Sequence, residues 1–304
     1  MVSRYTHRHI TWVNLSSPTP SEVRDLMSEF DIHPLVAEEL LSPSAKPKVE
    51  QFHSSLFLIL HFPYFDHVAK TANHMEVDFI VGKQFIVTAH YDGENPFRGF
   101  ERTFEVGSLL DTVTPGDHAG HVFYSMTKAL YREVEEMISV FGERLDYVEE
   151  KIFAGRERDM VFEISKISRD LLTFTQALNT HRAVLESLEI AGKRIFGEAF
   201  GHYLRSIGGT QFRLGTLLEG HRGSLEELRE TNNSMLSTKQ NETMKTLTIM
   251  AFITLPLTVI TQMFSMNAKD IPILGMKGDF WIILSIMVAL ALGLFIYFRA
   301  KQWF

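Results

Sequence analysis

Hydroxyl and amide side chains recur at helical spacing along the last third of the chain. Alternating steps of four and three residues lead from Glu230 to Ser265, and this spacing keeps side chains on one face of an α-helix. Polar groups in hydrocarbon are costly unless they face water or protein. We therefore expect this face to line a water-filled path between copies of the helix. Its members are Glu230, Ser234, Ser237, Asn241, Met244, Thr248, Ala251, Leu255, Thr258, Gln262 and Ser265.

Two apolar segments are long enough to cross a membrane. The first carries no charge between Lys245 and Lys269, and the second covers residues 280–298, with Trp281 and Tyr297 near its ends. A membrane-spanning helix needs about 20 apolar residues, and aromatic residues of this kind lie at membrane interfaces. A short loop joins the segments, so the sequence predicts two antiparallel helices that leave both chain ends on one side.

Basic residues indicate which side that is. Lys239, Lys245, Arg299 and Lys301 flank the two helices on the side of the chain ends, whereas the loop lysines are offset by aspartates. Lys and Arg are retained on the cytoplasmic side of a membrane. Residues 1–9 lack the apolar core of a signal peptide. We predict a multi-pass protein of an inner or plasma membrane with both termini in the cytoplasm.

Composition excludes several classes of function. The chain contains no cysteine, so it forms neither disulfides nor thiolate metal sites. Its formal net charge of −7 argues against nucleic acid as a partner. It contains no Walker-type phosphate loop, no HExxH and no GxSxG motif. We expect no enzymatic activity, no nucleotide partner and no cofactor, so that any passage of ions along the water-filled path would be driven by an electrochemical gradient.

The first part of the chain alternates strand and helix patterns and predicts an α/β domain. We expect Ser21 to cap the first helix, and His33 to serve either the turn before the second helix or the start of that helix. Gly82-Lys83 marks the turn of a hairpin. The predicted elements are strands at 10–15 and 57–62, helices at 21–30 and from 34 to before 43, and a hairpin at 76–90.

The middle of the chain is predicted to be helical. Gly155 separates long helices at 122–153 and 159–188, and we expect Gly208-Gly209 to break the helix before the last long one. The predicted boundaries are 1–120 (cytoplasmic α/β domain), 121–200 (long acidic helices), 201–266 (stalk and first transmembrane helix), 267–278 (extracytoplasmic loop), 279–298 (second transmembrane helix) and 299–304 (basic cytoplasmic tail).

Several segments resemble the CorA superfamily of divalent-cation transporters, and the likeness covers nearly the whole chain. Residues 30–41 with 46–50, and residues 77–90, resemble the family's soluble-domain signature. Residues 241–258 resemble its pore helix, including the Leu-Pro position. The family's hallmark Gly-Met-Asn is replaced here by Ser265-Met266-Asn267.

The resemblance implies a funnel-shaped homopentamer with a cytoplasmic α/β domain, a long stalk helix and two transmembrane helices per subunit in a lipid bilayer. Five first helices would line one pore for passive uptake of divalent cations, with Mg²⁺ favoured. Asn267, with Ser265 and Met266, would select cations at the pore mouth. Met244 and Leu255 would form apolar constrictions. The pore-lining residues would be Asn241, Met244, Thr248, Ala251, Leu255, Thr258 and Gln262.

The resemblance also implies regulation by cytoplasmic cations. Glu39, with Glu38 beside it, and Glu230 of a neighbouring subunit match the acidic positions that bind Mg²⁺ and hold the pore shut in magnesium-transporting members. Divalent cations would then be both substrate and regulator. The alternative is that these three carboxylates are simply solvated.

Two departures from the family pattern keep other functions open. Ser265 replaces a glycine, and Pro272 is followed by Ile273 where the family usually has a glutamate. A transporter of Zn²⁺, Co²⁺ or Ni²⁺ from the zinc-transporting branch is one alternative, and a non-conducting membrane cation sensor or scaffold is another. His118 and His121, three residues apart, could hold a metal with Asp117, although a turn or capping role is favoured.

Overall fold

A computed structural model of the protein describes residues 2–52, 54–66, 71–91, 95–110, 118–266, 273 and 278–301, excluding the side chains of residues 106–110. The chain divides into two compact units, Met1–Glu230 and Thr231–Phe304. The first unit is an α/β domain with long helices, and the second contains two apolar helical segments.

A six-stranded mixed sheet organises the first unit, in the order β1-β2-β6-β5-β4-β3. β2 and β6 run parallel, and the other neighbouring strands are antiparallel. The predicted strands at 10–15 and 57–62 and the hairpin at Gly82 are confirmed, whereas β1 and β3 were not predicted. The strands are β1 (Val2–His7), β2 (Ile10–Ser16), β3 (Lys48–Phe52), β4 (Ser55–Asp66), β5 (Thr71–Val81) and β6 (Phe85–His90).

Two short helices, α1 (Pro20–Phe30) and α2 (Pro34–Glu39), pack on one face of this sheet. The prediction that Ser21 caps α1 is wrong, because Thr19 is the N-cap. The Thr19 hydroxyl accepts from the backbone N–H of Glu22, whose carboxylate accepts from the backbone N–H of Thr19. His33 caps α2 as expected, since its Nδ1 accepts from the backbone N–H of Leu35 at 3.3 Å.

Three helices lie along the chain after the sheet: α3 (Arg98–Leu110), α4 (Gly120–Phe153) and α5 (Glu157–Phe196). α4 and α5 match the predicted long helices, and Gly155, with φ +85°, separates them. Rings of Trp12 and Phe79 on the sheet contact Phe97, which precedes α3, and Phe79 also contacts Phe123 of α4. α3 was not predicted from the sequence.

A 65-residue helix, α6 (Gly201–Ser265), follows a short 3₁₀ turn, Glu198–Phe200. The predicted break at Gly208-Gly209 is wrong, because α6 continues through both glycines. Their poor helix propensity is offset by the packing of neighbouring Leu204 and Ile207, both of which are buried. The last helix is α7 (Asp279–Ala300). Both α7 and the end of α6 are long and apolar enough to cross a membrane.

Candidate pore face and regulatory carboxylates

The predicted pore-lining residues lie on one exposed side of α6. Met244 is 57% and Leu255 64% exposed, and Asn241, Ala251, Thr258 and Gln262 are also exposed, while Thr248 is half-buried. Leu247 and Val259 of the same part of α6 are also exposed, and a contiguous apolar surface of this kind marks contact with another protein or a membrane.

The opposite side of α6 is the covered one. Ile249 is buried, and the residues at helical spacing from it are half-buried. α7 contacts this part of α6 through the rings of Phe252 and Phe298, 6.3 Å apart, and through the Thr261 hydroxyl, 3.7 Å from Met287 Sδ. The polar face is therefore the side that α7 leaves open. The half-buried residues are Ile253, Pro256, Leu257, Ile260 and Phe264.

Three hydroxyl groups on this face of α6 are oriented in the same way. Thr248, Thr258 and Ser265 each donate to the backbone carbonyl four residues earlier, at 2.8 to 2.9 Å. Because the single proton of each hydroxyl is used within the helix, only its lone pairs remain available. These three hydroxyl groups thus present hydrogen-bond acceptors, and a hydrated cation presents the water protons that such acceptors bind.

The Ser265-Met266-Asn267 triplet is described in part. Ser265 is the last residue of α6, and Met266, 62% exposed, follows it. Asn267, the predicted selecting residue, lies outside the described residues.

The three predicted regulatory carboxylates occupy two helices of the first unit. Glu38 and Glu39 end α2, where Glu38 is exposed and Glu39 is half-buried, and Glu230 is exposed on α6. Among the described residues of one chain, no three His, Asp or Glu side chains are grouped so as to hold a metal. The predicted site requires two subunits and stays a prediction.

Glu39 has one satisfied and one unsatisfied oxygen. Its Oε1 accepts from Lys48 Nζ at 2.6 Å, while Oε2 is buried and has no hydrogen-bond partner among the described residues. An unpaired buried carboxylate oxygen is costly, and a divalent cation is one ligand that could satisfy it. The regulatory role of Glu39 stays a prediction, and its ion pair with Lys48 was not predicted from the sequence.

A buried acidic cluster on the same face of the sheet was also missed. Asp78 is 1% exposed and accepts from the Tyr91 hydroxyl at 2.6 Å, while Glu76 accepts from the backbone N–H of Ser44 and lies 3.3 Å from His61 Nε2. Burial raises the pKa of Asp78 well above its usual range, and the nearby Glu76 and Glu39 raise it further. Two carboxylates at i and i+2 in an apolar strand were the available signal.

A buried histidine, His181, also lies inside this unit. His181 Nε2 donates to the backbone carbonyl of His61 at 3.0 Å, and its Nδ1 accepts from the Tyr131 hydroxyl at 2.8 Å. The bond that Nδ1 accepts requires the neutral ring, and burial lowers the pKa of His181 to about 4. This histidine therefore links two helices to the sheet as an uncharged side chain.

His118 and His121 belong to an aromatic cluster. Their rings stack 4.5 Å apart, and His118 also stacks on Phe196 at 4.7 Å. Asp117 lies outside the described residues. This ring packing differs from the capping role that the sequence favoured for the pair, since the N-cap of α4 is Ala119.

Known proteins resemble the chain over almost its full length. The family described as CorA-like Mg²⁺ transporter protein matches residues 7–300. The cobalt/magnesium transport protein CorA of Thermotoga maritima is 26% identical over 304 aligned residues, covering 96% of this chain and 83% of that protein. The cobalt/magnesium transport protein CorA of Methanocaldococcus jannaschii is 20% identical, with 97% of this chain and 91% of that protein covered.

A solved structure has the same fold as this chain. The complete structure of the CorA magnesium transporter from Methanocaldococcus jannaschii superimposes with a TM-score of 0.84 at 19% identity, covering 99% of this chain and 93% of that chain. The α/β domain, the long helix and the two apolar helices therefore have the arrangement along the chain that this structure has.

Proposed function

This chain belongs to the CorA-like Mg²⁺ transporter family, and we propose that it is a membrane channel for passive uptake of divalent cations, with Mg²⁺ as its main cargo. Members of this family are transporters and not enzymes. The observation that carries the proposal is the polar face of α6, on the side away from α7, where the hydroxyl oxygens of Thr248 and Thr258 are left as acceptors. In a ring of subunits, this face would surround a central path.

Hydrated Mg²⁺ suits such a path because it takes oxygen ligands and loses its water reluctantly. Hydroxyl and amide oxygens at Asn241, Thr258 and Gln262 would accept from the waters of the ion. Asn267 would add a ring of amide oxygens at the outer end. A negative interior attracts a divalent cation by about 4.6 kcal/mol per 100 mV, so the gradient alone suffices.

Two apolar side chains on the same face provide a gate. Met244 and Leu255 are both exposed on α6, and we propose that rings of these side chains close the path by excluding water. A small rotation of the helices would replace them with the neighbouring polar side chains.

Regulation is proposed to act through Glu39 and Glu230, with Glu38 beside them. A cation held between Glu39 of one subunit and Glu230 of the next would keep the subunits together and the pore closed. Loss of that cation at low cytoplasmic Mg²⁺ would release them. This arrangement requires the α/β domain, residues 1–120, and both chain ends to lie in the cytoplasm.

Ion flux into liposomes tests the proposal. Purified protein is reconstituted, and Mg²⁺, Zn²⁺ and Co²⁺ uptake is followed with ion-sensitive dyes, using Asn267→Ala as the variant. We expect Mg²⁺ uptake in the parent protein and at least a tenfold loss in the variant. Uptake of Zn²⁺ without Mg²⁺ would assign the chain to a zinc transporter instead. No flux of any of these ions would favour a non-conducting sensor.

A further inference from the structure

Lys48 is brought to Glu39 by the register of the sheet. β3 pairs with β4 so that Lys48 lies opposite Ile59, and β4 pairs with β5 so that Ile59 lies opposite Asp78. Ile59 belongs to the core under α1 and α2. Lys48 therefore projects from the α2 face of the sheet and reaches the carboxylate of Glu39, the last residue of α2.

The surroundings of Lys48 hold its ammonium group at this point. Nζ lies 2.6 Å from Glu39 Oε1, 3.2 Å from Glu50 Oε1 and 5.4 Å from the centre of the Phe57 ring. The Lys48 side chain is 26% exposed and that of Glu39 is 35% exposed. The pair is thus partly withdrawn from water, where an ion pair is screened less than at an open surface.

We propose that Lys48 is the internal counter-ion of Glu39 and competes with the regulatory divalent cation for it, so that Lys48 sets the cation concentration at which the channel closes. This inference rests on the proposed function, in which Glu39 binds that cation. The carboxylate of Glu39 must turn to meet the ion, because its Oε2 is buried and its Oε1 contacts Lys48. Full coordination then requires Oε1, which Lys48 must release.

The competition has a predictable direction. Removing the Lys48 charge takes away the ammonium group that Glu39 contacts and makes the site more negative by one unit, so a divalent cation binds more tightly. Replacing Glu50 with a neutral residue has the opposite effect on cation binding. Of its two carboxylate contacts, Lys48 then keeps the one with Glu39, and the site loses a negative charge. Because an exposed or half-exposed ion pair contributes little, we expect its removal to change the affinity for the cation roughly two- to fivefold.

The experiment uses the full chain in liposomes and measures two quantities against internal Mg²⁺. One is the Mg²⁺ concentration that halves ion flux. The other, independent of transport, is the Mg²⁺ concentration that half-protects the detergent-purified protein from limited proteolysis. The variants are Lys48→Met, which keeps the apolar stem over Phe57, Lys48→Arg, which keeps the charge, and Glu50→Gln. Lys46→Met, at the exposed lysine two residues earlier, removes the same charge as a matched control.

We expect Lys48→Met to lower both half-effective concentrations about threefold and Glu50→Gln to raise them. Lys48→Arg and Lys46→Met should stay near the parent. Unchanged values in Lys48→Met, or an equal shift in Lys46→Met, would overturn the proposal. Glu39→Gln separates it from the regulatory hypothesis: if this variant keeps the parental response to Mg²⁺, regulation through Glu39 itself is wrong, whatever Lys48 does.

Discussion

Individual hydroxyl groups on α6 connect the sequence pattern to cation transport. A threonine hydroxyl can both donate and accept a hydrogen bond. Once it donates to a carbonyl of its own helix, it can only accept from other groups. The sequence gives the position of these threonines but not the direction of their hydrogen bonds. The helix sets that direction, because it places the backbone carbonyl of the residue four positions earlier next to the hydroxyl, which donates to it.

Thr258→Val tests this role at the proposed pore face. Valine keeps the shape of threonine but removes the oxygen, so we expect Mg²⁺ flux in liposomes to fall about threefold to tenfold, by the loss of one neutral hydrogen bond per subunit. Thr261→Val is the matched control, because the Thr261 hydroxyl makes the same helical bond and faces Met287 of α7. Equal losses in both variants would show that the effect comes from helix packing.

Asp78→Asn tests the buried acidic cluster through the pH dependence of stability. Burial raises the pKa of Asp78, so the folded state holds this proton more tightly than the unfolded state. Stability must therefore fall as the pH rises from the unfolded pKa towards the raised folded one. Asparagine still accepts from Tyr91 and does not titrate.

We expect the melting temperature of Asp78→Asn to exceed that of the parent by about 2–4 °C near pH 8, with the difference shrinking towards pH 4. Thermal unfolding of the purified protein, followed by circular dichroism, measures it. Asp31→Asn, at an exposed position, is the control. A constant difference between Asp78→Asn and the parent across this pH range would contradict the raised pKa of Asp78.

At the scale of elements, the structure departs most from the sequence-based prediction in α6, which has no break at Gly208-Gly209. Adjacent glycines usually interrupt a helix, because glycine costs about 1 kcal/mol relative to alanine. α6 nevertheless continues through Gly208 and Gly209, and a Cβ at either position would meet no atom within 4 Å. Packing of the surrounding apolar residues decides the outcome, and no local propensity could have shown it.

Gly209→Ala is accordingly expected to stabilise the protein by about 0.5–1 kcal/mol, measured by thermal or chemical unfolding. Gly192→Ala in α5 provides the contrast, because its Cβ would lie 2.5 Å from Leu204 Cδ1. That substitution should destabilise the fold by overpacking. Destabilisation by Gly209→Ala would mean that this surface of α6 needs glycine for close contact with another subunit.

At the scale of the whole molecule, the proposed pore depends on assembly. One chain presents a polar face that also carries the exposed Met244 and Leu255, and leaves it open on the side away from α7. A closed ring of subunits is the arrangement that would turn such a face inwards. The family resemblance implies five copies.

A pentamer of 34.8 kDa chains has a protein mass of about 174 kDa, five times that value. We expect light scattering coupled to size-exclusion chromatography, corrected for detergent, to give this mass. A protein mass of one or two chains would contradict the ring and, with it, the proposed conduction path.

The sequence by itself determined the features that depend on local periodicity and on segment length. These are the two apolar helices, the long helices around Gly155, the central strands, the cap at His33 and the single face that carries Asn241 to Ser265. Each is set by residues close together in the chain, and the family resemblance then supplied the expected roles.

Only the tertiary structure decided what depends on contacts between distant residues. The Glu39–Lys48 pair, the cluster of Glu76, Asp78 and Tyr91, the edge strands β1 and β3, and the continuity of α6 all follow from strand register and packing. Strand register decides which distant residues lie side by side, and no local sequence pattern encodes it. Burial then alters the pKa values and the partners of the charged groups that the packed core encloses. The side of α6 that α7 leaves open was set in the same way, by packing.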